Sequence, residues 1–116
     1  PPEDIFGPEP VHGWCYYYQK AALARQFDDW STVIALGDEA IEKGFEPFDQ
    51  IEWMPFLQAY VVTGQINQLE PYASIMTSPS LIRLQTCQIL KQTASEERPD
   101  DLELMTFIES NFCSRN

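Results

Sequence analysis

Apolar residues recur along this chain at the three- and four-residue spacing of helices, and no segment sustains the alternation that a strand would show. The pattern predicts about six helices. The first runs from about Trp14 to Phe27 and the second from about Trp30 to Lys43. The letters DDWS between them offer an N-terminal cap, and Gly44 closes the second helix. We therefore expect an all-α fold that begins with an antiparallel helical hairpin.

Prolines interrupt the helical pattern in the middle of the chain. Asp49 and Glu52 have the spacing of a capping box for a third helix, but Pro55 lies awkwardly far inside such a helix, so its start is expected nearer Glu52. A fourth helix is predicted over residues 66–76. Because this segment contains Pro71, the fourth helix should be kinked or begin late.

The last third of the chain predicts two more helices. Ser78 is placed to cap a fifth helix, with Pro79 at its first position, where the missing N–H does no harm. This helix is predicted to end at about Thr93. The sixth helix follows the turn ASEERPDD and has an apolar face with amphipathic spacing. The residues of that face are Leu102, Met105, Ile108 and Phe112.

The chain also repeats itself at an interval of 36 residues. With that shift, apolar residues coincide with apolar residues, and the turn at Asp28-Asp29 coincides with Gly64-Gln65. Repetition at this interval is typical of stacked helix pairs. The coinciding pairs are Tyr17 with Trp53, Ala21 with Leu57, Ala24 with Tyr60, Trp30 with Ile66, Val33 with Leu69, and Ala40 with Met76.

This spacing resembles the tetratricopeptide repeat, a helix-turn-helix unit of about 34 residues. The segment WMPFLQAYVVTGQINQLEPYA is the most similar: Trp53, Leu57 and Tyr60 match the first helix of the family, and Gly64 matches its turn glycine. The resemblance implies a short right-handed superhelix with units at about 14–48, 49–79 and 80–116.

Two of these units depart from the pattern of the family. The first has Asp28 in place of the turn glycine, and Gly37 where the second helix normally packs a large side chain, which implies a looser hairpin. The third unit is degenerate and has an extended turn at ERPDD. It is assigned only by its place in the series.

The resemblance further implies a concave binding groove along the first helices of successive units. This groove would be mixed in character and mildly apolar, and it lacks the Lys and Asn arrangement with which some members grip a peptide carboxylate. The expected partner is a protein or peptide, or the rest of the parent chain. The groove could also be covered, either by the proline-rich leader over residues 1–12 or by the rest of the parent protein. Carried across, the groove positions are Cys15, Tyr18, Ala22, Arg25, Gln26, Ile51, Met54, Gln58, Val61 and Val62.

The N-terminal part carries a second resemblance. Residues 1–12 are proline-rich and are predicted to be a linker or leader, with a single domain over 13–116. The stretch FGPEPVHGWCYYYQKAALARQFDDW is similar to a segment near the C-terminus of multi-spanning bacterial membrane proteins of the glycosyltransferase type. This implies that the domain is a soluble C-terminal tail tethered to the bacterial membrane through its parent protein. The resemblance does not assign the domain to one side of the membrane.

The charge balance restricts the class of partner. Eighteen acids against seven bases give a formal net charge of −11. Nucleic acid and anionic lipid should be repelled at long range, so neither nucleic-acid binding nor direct membrane binding is expected. The carboxylates lack the spacing of a calcium loop and are interpreted as a solvated face with helix caps. No metal or other cofactor is expected.

Candidate chemistry is sparse. His12 and Cys15 stand three residues apart and could act as base and nucleophile. However, His12 is the only histidine, and no third group is indicated to orient it. No catalytic residue is therefore expected, and the alternative is a small autonomous helical enzyme or ligand-binding protein that uses the His12, Cys15 and Tyr18 region.

The cysteines and the aromatic cluster are both interpreted as interior residues. Three widely spaced cysteines without a CxxC motif are expected to be small buried hydrophobes, with at least one of them free. Tyr17 should point inward, and Trp14 and Trp30 should form the bulky ends of the first hairpin. Tyr16 and Tyr18 are freer to lie over a neighbouring helix.

Overall fold

The computed structural model describes residues 13–114, and within this range every regular element is helical. The predicted all-α class and the number of six helices are confirmed. The predicted leader over residues 1–12 lies outside the described residues. The α-helices are α1 (Trp14–Gln26), α2 (Trp30–Glu42), α3 (Met54–Val62), α4 (Ile66–Leu69), α5 (Ser80–Glu97) and α6 (Leu102–Ile108). Shorter 3₁₀ segments cover Gln50–Trp53 and Glu70–Tyr72, and a π-helical segment, Glu109–Cys113, continues α6.

The turn between α1 and α2 forms as the DDWS signal predicts. Asp28 has a positive φ of 55°, and the backbone N–H of Asp29 donates to the carbonyl of Ala24 over 2.9 Å. The Asp29 carboxylate accepts hydrogen bonds from the backbone N–H and the hydroxyl of Thr32. This cap satisfies a backbone donor that the first turn of α2 would otherwise leave unpaired.

The turn after α3 has the same geometry 36 residues later. Gly64 has a φ of 68°, and the backbone N–H of Gln65 donates to the carbonyl of Tyr60 over 2.8 Å. A side chain at Gly64 would be strained by this φ, and its Cβ would lie 2.8 Å from the guanidinium carbon of Arg98. The first turn adopts the same conformation with an aspartate, a residue that tolerates positive φ better than most.

The start of α3 differs from the capping-box prediction. Asp49 does act as a cap, but it caps the 3₁₀ segment Gln50–Trp53 by accepting from the backbone N–H of Ile51 over 3.1 Å. The α-helix itself begins at Met54. Pro55 therefore lies in the first turn of α3, where the helix requires no hydrogen bond from its nitrogen.

The predicted fourth helix is interrupted at Pro71. Helix α4 ends at Leu69, and the 3₁₀ segment Glu70–Tyr72 follows, because proline cannot donate the hydrogen bond that an α-helix requires. Turns then lead to Met76, which is fully buried. The apolar residues of this segment thus reach the core without a continuous helix.

The start of α5 was predicted wrongly. Its N-cap residue is Pro79 rather than Ser78, and the helix begins at Ser80. Ser78 makes no capping bond, and its carbonyl instead accepts from the side chain of Gln50 over 2.7 Å. The helix continues to Glu97, four residues beyond the predicted end.

The buried face of α6 also differs from the predicted one. Leu104, Ile108 and Phe112 are fully buried, whereas Leu102 is 77% exposed. Leu102 is the first residue of the helix and points away from the core. Asp101 caps this end by accepting from the backbone N–H of Leu104 over 3.0 Å.

Helix α3 is the centre of the packing. It contacts α1, α2 and α5, while α5 also contacts α6 and the π-helical segment. Seven of the nine residues of α3 are buried. A helix that is apolar on nearly every side is stable only when other elements cover it, and α1, α2 and α5 supply that cover.

The space beside Gly37 of α2 is filled by a side chain of α3. Gly37 is buried, and a Cβ added there would lie 2.6 Å from the Phe56 ring. Phe56 is 1% exposed. The large side chain expected on α2 is thus replaced by one from α3, which corrects the expectation of a loose first hairpin.

The cysteines correct a second expectation. Cys87 of α5 and Cys113 of the π-helical segment form a disulfide, and Cys15 on α1 is free and exposed. One free cysteine agrees with the odd number, but the interpretation of all three as buried hydrophobes was wrong. The pairing depends on the packing of α5 against the π-helical segment, which spacing alone does not reveal.

Candidate functional site

The aromatic cluster of the first helix lies largely inside the domain. The ring centroid of Trp14 is 5.0 Å from that of Trp53 and 5.6 Å from that of Phe56. The indole N–H of Trp14 donates to a carboxylate oxygen of Glu52 over 2.9 Å, so Glu52 ties α1 to the 3₁₀ segment before α3 instead of completing a capping box. The cluster holds α1 to the segment around α3.

A polar row crosses the three odd-numbered helices on another side. The guanidinium of Arg25 on α1 donates to the side-chain oxygen of Gln58 on α3 over 2.9 Å. The amide nitrogen of Gln58 donates in turn to the hydroxyl of Thr93 on α5 over 3.2 Å. Thr93 donates to the carbonyl of Ile89 over 2.8 Å. We call the surface along this row, with the half-buried neighbours Tyr18, Ala22 and Val62, the odd-helix face.

Most of the predicted groove residues lie at the surface. Tyr18, Ala22, Arg25, Gln58, Val62 and Ile51 are half-buried, and Gln26 and Cys15 are exposed. Met54 and Val61 were predicted wrongly, because they are 4% and 0% exposed and belong to the core. The packing of α1, α2 and α5 around α3 leaves only Gln58 and Val62 of that helix partly open.

The positive charge of Arg25 on the odd-helix face is not paired with a carboxylate of residues 13–114. Arg25 is half-buried, and its hydrogen-bond partner, Gln58, is neutral. The ion pairs among residues 13–114 involve other bases, Lys91 with Glu109 and Arg98 with Asp101. A guanidinium has five N–H donors, so Arg25 keeps donors for a further partner.

The alternative His12, Cys15 and Tyr18 region is only partly described, because His12 lies outside residues 13–114. Cys15 is exposed near the start of α1, and the Tyr18 ring stacks on Trp14 with centroids 6.4 Å apart. Within the described range no group of three His, Cys, Asp or Glu side chains could hold a metal ion. Tyr18 is thus placed by aromatic packing.

A second concave surface was missed by the sequence analysis. It is a cleft of about 520 Å³ between the turn after Tyr72, the first turn of α5 and residues 110–114. We call it the Arg83 cleft, after the one charged side chain among its described lining residues. Its other linings include Ser74, Thr77, Ser80, Ser110 and Asn111. The first two segments follow each other in the chain, whereas the third is distant in sequence and meets them only after folding, so no local motif indicates the cleft.

Burial distinguishes Arg83 from the other Lys and Arg residues in the range 13–114. Its side chain is 8% exposed, and its Nη1 donates to the backbone carbonyl of Cys113 over 3.1 Å. This bond joins α5 to the π-helical segment near the Cys87–Cys113 disulfide. No carboxylate belongs to the described lining of the cleft.

Comparison of the chain with protein-family models, with curated proteins and with solved structures finds no match. Of the helices that the structure describes, none has the length and apolar character needed to cross a bilayer.

Proposed function

We propose that this chain is a non-catalytic protein-interaction or scaffolding domain, and that its partner segment binds on the odd-helix face. The observation that carries the proposal is the row from Arg25 through Gln58 to Thr93, which links one helix to the next. Arg25 and Gln58 are half-buried at the surface, and Thr93 anchors the row from a buried position. Side chains already held by hydrogen bonds lose less conformational freedom when a partner binds.

The chemistry beside this row suits a peptide or protein surface. Arginine is enriched among the residues that contribute most to interface affinity, and Arg25 keeps unused donors. Ala22 and Tyr18, three and seven residues before Arg25, lie on the same side of α1 and are half-buried. Apolar contacts next to a hydrogen-bonding arginine would provide both affinity and orientation.

The wider proposal is that the domain is the C-terminal part of a larger bacterial membrane protein and has a tetratricopeptide-like architecture. The matching turn geometry at Asp28 and Gly64 supports the interpretation of the first four helices as two related hairpins. The tether to the parent protein is supported by the resemblance of the N-terminal stretch and by the acidic charge, which disfavours binding to anionic lipid without a tether.

The disulfide adds to this proposal the cellular compartment in which the domain would lie. Disulfides form and persist in oxidising environments, such as the bacterial periplasm, and are rare in the cytosol of mesophiles. We therefore place the domain on the oxidising side of the membrane. Thiol alkylation of cells before lysis should block Cys15 alone. Alkylation of all three cysteines without prior reduction would contradict this placement.

The function is tested by selecting peptides that bind the isolated domain from a displayed library. Binding sites are then mapped by amide chemical shifts, which should change around Tyr18, Ala22 and Gln58. In Arg25→Glu the affinity of selected peptides should fall at least about tenfold. Lys20→Glu is the matched control, because it makes the same charge change on another side of α1.

The proposal fails in either of two cases. One is that no selected peptide binds in a saturable way. The other is that Arg25→Glu and Lys20→Glu reduce binding equally, since a loss shared by both variants would reflect net charge rather than contact with Arg25.

A further inference from the structure

The Arg83 cleft contains a buried cation for which the described residues provide no anion. The Arg83 side chain is 8% exposed, and its one partner among residues 13–114 is the carbonyl of Cys113. A buried charge is costly unless it is paired and hydrogen-bonded. The two ion pairs of the described range involve Lys91 and Arg98. The guanidinium therefore has unused donors beside a cleft of about 520 Å³.

Neutral donors line the same cleft as this cation. The hydroxyls of Ser74, Ser80 and Ser110 line the cleft and make no hydrogen bond with residues 13–114. They come from the three different segments that form the cleft. Thr77 also lines it, but its hydroxyl already donates to the carbonyl of Ser74 over 3.4 Å. Three free hydroxyls and a guanidinium together favour a ligand with several acceptor oxygens.

The start of α5 adds backbone donors at the same place. This helix has 18 residues, and Ser80 at its first position lines the cleft. The first amides of a helix have no partner within the helix, and they carry the positive end of its dipole. Phosphate groups are commonly held at such helix starts. Here the helix start coincides with the buried guanidinium, which is the independent indication of an anion.

We propose that the Arg83 cleft binds a phosphoryl group, either as free phosphate or as part of a small phosphate ester. A phosphoryl group presents three or more acceptor oxygens in different directions, which suits donors from three segments, and arginine pairs with phosphate through two parallel bonds. The volume of about 520 Å³ exceeds what one phosphate fills, so the rest of an ester also fits. This site is separate from the odd-helix face, so the proposal stands or fails independently of the proposed function.

The described lining explains why such a site exists in an acidic chain. The chain carries −11, yet the described lining of the cleft includes no Asp or Glu. Attraction by Arg83 acts at short range, whereas repulsion by the net charge acts at long range and is screened by salt. Phosphate affinity should therefore change by less than about threefold between 20 and 150 mM salt, unlike that of basic patches that bind nucleic acid.

The test is a titration of the oxidised protein, followed by amide chemical shifts, in chloride buffer of constant ionic strength. Inorganic phosphate, O-phosphoserine, serine and acetate are the probes. We expect saturable shifts at Ser80, Arg83 and Ser110 with the two phosphoryl compounds and none with serine. Tighter binding of O-phosphoserine would identify an ester as the ligand, and equal or tighter binding of phosphate would identify the free ion. Both results support the site.

Variants separate binding from a purely structural role of Arg83. Arg83→Gln keeps a donor for the carbonyl of Cys113 but removes the charge, so phosphate affinity should fall at least tenfold while the disulfide and the helix content are retained. Arg83→Lys keeps the charge without the planar fork and should bind with intermediate affinity. Arg25→Gln, the same change on the odd-helix face, should bind phosphate like the unmodified chain.

Three results would overturn the proposal. The first is the absence of saturable shifts with either phosphoryl compound. The second is acetate binding as tightly as phosphate, which would show a general anion effect. The third is unchanged phosphate affinity in Arg83→Gln. If Arg83→Gln does not fold, Ser80→Ala combined with Ser110→Ala removes two donors and leaves Arg83 in place, and unchanged affinity in that variant overturns the proposal equally.

Discussion

Replacing Gly37 by alanine tests the packing of α2 on α3. A Cβ at this position would lie 2.6 Å from the Cδ1 atom of Phe56, closer than a real Cβ contact allows. The Phe56 ring cannot withdraw easily, because it is 1% exposed and its centroid lies 5.6 Å from that of Trp14 and 6.3 Å from that of Trp53. The substitution therefore sets a local gain in helix propensity against overpacking of the core.

The two effects can be compared in magnitude. Alanine is favoured over glycine inside a helix by about 1 kcal/mol. Adding a methyl group to a well-packed core typically destabilises by about 1–3 kcal/mol. For Gly37→Ala we expect the overpacking to exceed the gain, with a net loss of about 1 kcal/mol in the free energy of unfolding. For a domain of this size, the melting temperature should fall by about 5 °C.

The assay is urea unfolding followed by circular dichroism, with Phe56→Leu and the double variant completing a cycle. Leucine at position 56 leaves room for the new methyl group, so Gly37→Ala should be neutral or stabilising in that background. The expected coupling energy is about 1–2 kcal/mol. If Gly37→Ala alone stabilises the protein by about 1 kcal/mol, helix propensity acts without opposition and the described contact is wrong.

Four further predictions follow from other features of the fold. Replacing Cys87 and Cys113 by alanine should lower the free energy of unfolding by about 3–4 kcal/mol, because the disulfide closes a loop of 26 residues, and chemical denaturation would measure the loss. A thiol reagent should modify one cysteine, Cys15, in the native oxidised protein and three after reduction and denaturation, as counted by mass spectrometry. The pKa of Asp101 is lowered by the hydrogen bond from the backbone N–H of Leu104 and by the guanidinium of Arg98. The stabilising effect of Asp101 should therefore be complete above its usual pKa of 3.8 and vanish as the pH falls through the lowered folded-state pKa. Asp101→Asn should remove this increment from acid-unfolding curves. The isolated domain should not float with anionic vesicles at low salt, and recovery of most of the protein with the vesicles would reveal a lipid-binding surface.

The helices of the first hairpin could be predicted because local signals determine them. The cap at Asp29 and the glycine at position 44 act within a few residues, and the structure uses both. The middle of the chain was harder to predict, because Pro55 and Pro71 permit either a kink or a 3₁₀ segment. Burial of the neighbouring apolar residues, which depends on tertiary contacts, determines which one forms.

The candidate sites likewise contain some residues that could be predicted from the sequence and others that depend on tertiary contacts. The resemblance to the tetratricopeptide repeat placed Arg25 and Gln58 in one predicted groove, and the structure joins them by a hydrogen bond. The same reasoning put Met54 and Val61 in the groove, because a helical pattern does not show how many neighbours will cover a helix. The surroundings of Arg83 were not predictable, since they depend on contacts of residues 73–83 with residues 110–114, which are far apart in sequence.

The Cys87–Cys113 bond also changes what a break in the chain would do. It closes a covalent ring that contains the part of α5 from Cys87 to Glu97, the turn at residues 98–101 and all of α6. A protease that cuts once within this turn would therefore produce two fragments that remain one molecule until the disulfide is reduced. The two fragments would migrate together without reductant and separate with it, so the nicked protein would keep both sides of the Arg83 cleft linked.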